Sequence, residues 1–159
     1  MQLSAQEEYG LRCLIQVARH VGPDPLTIPE IAASEGLSPE YAAKLMRALR
    51  QAELVASTRG AGGGYRLVRP AAQITAWEAV QALGGSIFPK EFCDSHPGRR
   101  HDCVHSTGCS IRGLWGAVEG AVRGVLEAVT LAELARSEAA HLITRIDTAP
   151  AESGASSPR

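Results

Sequence analysis

Three of the four cysteines in this chain lie within a span of seventeen residues, and they carry the chemistry it could perform. Cys93, Cys103 and Cys109 are separated by nine and five residues, with His96, His101 and His105 among them. Thiolates gathered in one loop suit an iron–sulfur cluster, whose irons need sulfur donors on pliable backbone. Three cysteines leave one ligand to a histidine of the loop or to an acidic residue brought from elsewhere. Zinc competes, but structural zinc sites pair ligands two to four residues apart, and Cys103-Val-His105 matches that spacing poorly. A thiol-only redox sensor is a further reading, and incidental surface cysteines the bland one. Cys13 stands apart, beside the apolar stripe of the first predicted helix, where a cysteine serves as a small buried hydrophobe.

The elements that must position these groups follow from composition and pattern. The 159 residues are 45% hydrophobic and 21% charged, enough for one cored domain with an appended element. Aromatics are only 4% while Ala and Gly abound, which favours small-residue helix packing over a sheet-rich core. No run approaches 18 uninterrupted apolar residues, so a membrane-spanning helix is excluded. The start, MQLSAQEEYGLRC, lacks the basic flank and apolar run of a signal peptide, and a cytoplasmic protein is expected.

The net charge of −1 conceals an uneven distribution. Residues 1–35 set two arginines against five carboxylates. Residues 36–70 set Lys44, Arg47, Arg50, Arg59, Arg66 and Arg69 against Glu40 and Glu53. A basic block of this kind suits a phosphate-facing surface, or simply a solvated face.

Ser4 and Glu7 form a capping box that opens a helix to about His20, with Leu11, Leu14, Ile15, Ala18 and Val21 on its apolar stripe. Gly22–Pro25 is a turn. Thr27 and Glu30 open a second, short helix that Gly36 ends, and Ser38-Pro39 opens a third to about Ala52. In that third helix Leu45, Met46 and Leu49 point inward, while Tyr41, Lys44, Arg47 and Gln51 lie away. The pair reads as a helix-turn-helix, or as two ordinary helices of a bundle.

Leu54–Arg59, Gly60–Gly64 and Tyr65–Arg69 then read as strand, turn and returning strand, which makes a wing. Gly62 and Gly63 would let backbone N–H groups approach a phosphate, and Arg59 flanks the tip, suited to a minor groove or phosphate. A nucleotide-binding glycine loop is the weaker reading, because no Lys-Ser/Thr follows and the loop leads into a strand.

Ile74, Thr75 and Glu78 start another capped helix that ends near Gly84-Gly85, and residues 86–110 show no period. From about Ile111 a long amphipathic helix repeats Ile111, Leu114, Trp115, Val118, Val122, Val125, Leu126 and Val129. Its stripe suits a dimer seam or a cover for the first helix. Thr130 and Glu133 cap a further helix toward Arg145, and the small, polar residues 147–159 are expected to be disordered.

The predicted fold is mainly α with a small β wing: a winged helix-turn-helix at 1–85, a cysteine loop at 86–110, dimerisation helices at 111–146 and a tail. Nothing supplies a catalytic base beside a substrate pocket, so an enzyme is not expected and a small metalloenzyme is the weakest reading.

The MQLSAQEEYGLRCL start, the LSPEYAAKLMRALRQAELVASTRGAGGGYRL block, the three-cysteine loop and the TLAEL segment together resemble the IscR/NsrR-type bacterial winged-helix regulators, from Met1 to about Arg145. The resemblance implies a homodimer on a pseudo-palindromic double-stranded DNA operator, with the third helix in the major groove. Ser38, Tyr41 and Lys44 would face DNA, and Arg59 and Tyr65 would do so from the wing; Arg47, on the same outward side of the third helix, is expected to join them. It also implies a 2Fe–2S or 4Fe–4S cluster on Cys93, Cys103 and Cys109. In some members a carboxylate from the partner subunit's first helix completes the set, and Glu8 stands at that place.

Two features depart from the family pattern. Its cysteines are commonly spaced by five and five residues, and the IscR-type histidine three residues after the last cysteine is Arg112 here. The second departure favours Glu8 as the remaining ligand, although Glu8 and Arg12 could equally form a plain intrahelical ion pair. The function expected is a cluster-dependent repressor sensing nitric oxide, redox state or iron–sulfur supply. A cluster-free regulator governed by a partner protein or thiol oxidation is the alternative.

Overall fold

The computed structural model describes residues 4–58, 60, 62–84 and 109–136. The order of elements is α1 (Ala5–Arg19), α2 (Ile28–Glu35), α3 (Pro39–Gln51), β1 (Val55–Thr58), β2 (Gly64–Leu67), a 3-10 turn (Ala71–Gln73), α4 (Ala76–Gly84), α5 (Ser110–Glu127) and α6 (Leu131–Ala135). Helix starts fall where the sequence places caps. Ser4 with Glu7, Thr27 with Glu30 and Thr130 with Glu133 form reciprocal capping boxes, and Thr75 with Glu78 makes the same pair of bonds. Gly36 ends α2 with φ +65°, a left-handed conformation that a β-carbon would strain.

Helix α1 lies at the centre and packs against α2, α3, α4 and α6. Its buried residues are Gly10, Cys13, Leu14 and Val17, so the inward face is turned by about one residue from the expected stripe. Leu11, Ile15 and Ala18 are only partly covered, and Val21 is 95% exposed beyond the helix end. The rotation has a local cause: glycine lets α1 approach α4 so closely that a β-carbon at Gly10 would collide with the Leu83 side chain. Around α1 the core gathers Ile31, Leu45, Met46, Leu49, Leu54, Ile74 and Leu131, all essentially inaccessible. Full burial of one such side chain contributes about 1.5–3 kcal/mol.

Strands β1 and β2 pair antiparallel with Val55 opposite Leu67 and Thr58 opposite Gly64. The wing has an anchor that no alternation pattern reveals. Leu26, before α2, bridges to Tyr65 through two backbone bonds of 3.0 and 2.8 Å. A second bridge, Thr75 to Thr130, returns the α5–α6 junction to the start of α4, with the Leu131 N–H donating to the Ile74 carbonyl at 2.8 Å.

The long helix begins at Ser110 as expected, but no residue of it is buried in the single chain. Ile111, Leu114, Trp115 and Val125 are exposed, while contact with α4 includes the Arg123 guanidinium over the Trp77 ring. Covering α1 is therefore the work of α4 and α6. Helix α6 ends at Ala135, and the expected continuation toward Arg145 lies outside the described residues, as does the tail.

Gly64 is buried where the wing meets Leu26, and an added β-carbon would stand 2.6 Å from the Leu26 carbonyl oxygen. Gly64→Ala is expected to lower unfolding free energy by about 1–3 kcal/mol in chemical denaturation. Unchanged stability would contradict this close approach.

Candidate nucleic-acid interface

The face of α3 is set by its own core seam. Ala42, Leu45, Met46 and Leu49 are buried, so Glu40, Lys44, Arg47 and Gln51, at steps of three and four, stand on the opposite, exposed side. The Ser38 hydroxyl accepts the Tyr41 N–H at 3.2 Å and, with Pro39 in the first turn, fixes where the helix begins. Tyr41 sits on the shoulder of this face. Half-buried, it meets Tyr9 of α1 edge-to-face, with ring centroids 6.3 Å apart.

In the wing turn Gly60 adopts φ +109°, and the Gly63 N–H donates to the Gly60 carbonyl at 2.9 Å. Gly62 is exposed, with open space about its α-carbon. Tyr65 is half-buried against the core at the wing's base. Arg59 lies outside the described residues.

The basic block is smaller than its composition suggests. Arg69 bonds the Gln73 carbonyl and pairs with Glu78 at 2.6 Å, locking the 3-10 turn to α4. Partial burial pulls the Glu78 carboxyl upward, but hydrogen bonds from Arg69 and Thr75 outweigh it and hold it below the usual carboxylate range. Two cations of the block were given no individual role by the sequence. Arg66 is exposed on β2 between half-buried neighbours, and strict alternation along that strand would have found it. Arg50 reaches Ser57 on β1 at 3.5 Å, a contact that only the fold brings about.

Of the expected metal ligands, Cys93 and Cys103 lie outside the described residues, together with His96, His101 and His105. Cys109 is described: it is the N-cap of α5, half-buried and free, and its side chain makes no capping bond. Among the described residues no three His, Cys, Asp or Glu side chains converge as a metal site. Glu8 pairs with Arg12 at 2.7 Å, both half-exposed, which raises the Arg12 pKa further. The Arg12 guanidinium also lies 5.7 Å from the Tyr9 ring centroid. Cys13 is wholly inaccessible, and burial, reinforced by Glu35, pushes its thiol up to about 11. It is the buried hydrophobe expected.

Among the described residues no helix is long and apolar enough to cross a membrane. Residues 3–137 match the family profile described as "Rrf2: Iron-dependent Transcriptional regulator". The chain belongs to the Rrf2 family. It is 36% identical over 136 residues to the protein rrf2 of Nitratidesulfovibrio vulgaris, spanning 86% of this chain and 88% of that one. Its identity to the HTH-type transcriptional regulator CymR of Bacillus subtilis is also 36% over 136 residues, covering 85% and 90% of the two chains. The solved structure of that CymR, described as the global cysteine regulator of B. subtilis, superposes with a TM-score of 0.68 over 86% of this chain and 97% of its own. That of T. potens IscR gives 0.65 at 29% identity, covering 86% and 87%.

Rrf2 membership makes α2, α3 and the β1–β2 hairpin a winged helix-turn-helix and the protein a DNA-binding transcriptional regulator. Within this Rrf2 fold the two described thiols differ sharply in access. Alkylation of native protein at pH 8 should modify Cys109 and spare Cys13 until the chain unfolds. Rapid modification of Cys13 in folded protein would contradict its burial.

Proposed function

We propose that this chain is a homodimeric, iron–sulfur-dependent repressor, each protomer reading half of a pseudo-palindromic operator. The observation that carries the reading is Cys109, a free, partly exposed thiol at the N-cap position of α5 and the last of three clustered cysteines. Its sulfur is partly exposed and bonded to no other cysteine, a soft donor of the kind iron takes, so this residue fits the group. Cys93 and Cys103 would supply the other sulfurs. Glu8, tied only through an exposed pair that water and salt screen readily, would supply the carboxylate from the opposite subunit. A bound 2Fe–2S or 4Fe–4S cluster supplies a centre that nitric oxide, oxidants or iron shortage can dismantle.

In this reading residues 1–85 bind DNA, 86–110 hold the cluster and 111–146 dimerise. The uncovered apolar side of α5 supports a seam with a second copy. Ser38, Tyr41, Lys44 and Arg47 would meet the major groove, while Arg59, Gly62, Gly63 and Tyr65 would set the wing against the backbone. Ligation shared between subunits would join one cysteine segment to the other subunit's α1, on which α3 is packed. Half-sites lie about one helical turn apart, so a shift of a few ångströms between the two α3 helices decides binding.

One observation favours a cluster-free regulator answering to thiol oxidation or a partner protein: CymR matches this chain at the same 36% identity as the rrf2 protein. Anaerobic purification separates the two. Protein carrying iron and sulfide, both lost in Cys103→Ala with the fold intact, is the expected result, and Glu8→Ala should shorten the cluster's lifetime. Arg47→Ala should leave the cluster in place, weaken DNA binding and lower the log–log salt slope by about 1. A colourless chain without sulfide, or Arg47→Ala binding DNA at wild-type strength and slope, would overturn the respective half.

A further inference from the structure

The outward face of α3 carries a single acidic side chain among basic and amide ones. Glu40 stands in the first turn, in line with Lys44, Arg47 and Gln51, and is exposed. First-turn glutamates elsewhere in the fold are occupied. Glu7, Glu30, Glu78 and Glu133 each accept the N–H of the residue that caps their own helix, at 2.7–2.8 Å, in α1, α2, α4 and α6. Glu8, the other acid in the first turn of α1, is held by Arg12. In α3 the position that would close such a pair is Tyr41, whose ring packs against Tyr9. Glu40 falls one residue short of it, and among the described residues no hydrogen bond or ion pair holds its carboxylate.

A free carboxylate on this face opposes phosphate binding, because it repels the backbone that Lys44 and Arg47 attract. Base edges present a different chemistry. Where a recognition helix enters the major groove, its N-terminal residues reach those edges. An ionised carboxylate accepts hydrogen bonds and donates none. Guanine offers two acceptors in the groove and thymine an acceptor beside a methyl group, whereas cytosine offers the N4 amino donor. Adenine has a donor too, but next to its N7 acceptor.

We infer that Glu40 is a specificity-determining residue, accepting the N4 amino group of one cytosine in each half-site. This rests on the operator reading proposed above for α3 and deepens it, and it is independent of any cluster. The carboxylate contributes discrimination against other bases, while the cations along the same face contribute affinity.

Selection by full-length protein from a pool of DNA duplexes with a randomised centre tests the assignment. Wild type should enrich an inverted repeat with one C·G pair held in both halves. Glu40→Ala should enrich the same repeat with that pair left open. Glu40→Gln should shift it toward A·T, because a carboxamide matches the N6/N7 edge of adenine. On the enriched duplex, thymine in place of the cytosine should weaken wild-type binding about five- to a hundredfold and leave Glu40→Ala indifferent. A carboxylate that only steadied the helix dipole would alter the melting temperature and no base preference.

Glu40→Ala with the wild-type preference at every position would overturn the inference. A position that loosens in Glu40→Ala but held no cytosine in wild type would overturn the base assigned. Wild type that enriches no sequence at all would sink the operator reading itself, a failure distinct from that of Glu40.

Discussion

Close packing around α1 is the constraint from which the rest of the domain takes its geometry. Glycine at position 10 brings α4 against the helix, and Cys13, Leu14 and Val17 form the side of the core to which other elements add. Polar ties then fix the directions of its neighbours. Gln16 donates to Glu35 of α2 at 2.6 Å, Tyr9 meets Tyr41 of α3, and Arg19 donates to the Ala135 carbonyl of α6 at 2.9 Å. Apolar burial supplies the cohesion, and these few bonds choose one arrangement among those that burial alone would permit.

The same helix brings together groups with different chemical tasks. Its outer side carries Glu8 and Arg12, exposed and mutually paired, while Tyr9 on its flank touches the DNA-reading helix. A force applied at Glu8 therefore acts on a rigid element that includes α3. Interiors packed at this density transmit displacement instead of absorbing it. In the function proposed, that property would let Glu8 influence operator binding through packing, without contacting DNA.

Much of the architecture was legible because local signals and tertiary packing agree. Capping pairs gave the helix starts, Gly36 gave the break between α2 and α3, and the Leu45–Met46–Leu49 seam gave the outward face. Failures came where a distant partner decides. Gly10 has no side chain to register in an apolar pattern, yet Leu83 makes it a core position and rotates α1. Leu26 bridges the wing as a single residue, too short for any alternation, and Arg69 counted toward the basic block although Glu78 holds it. The candidate site was legible as residue types. Glu8 and Arg12 showed their spacing, and within the single chain Arg12 holds Glu8; a metal there would have to come with the proposed second subunit.

Operator affinity is the sharpest probe of the proposed coupling between a cluster and the separation of two recognition helices. Titration of one operator fragment with anaerobic protein, before and after chelator removes its iron, at fixed salt, compares the two forms of one dimer. Affinities differing by about tenfold or more are expected, within the usual range of allosteric coupling. Equal affinities for iron-loaded and iron-free dimers would contradict it.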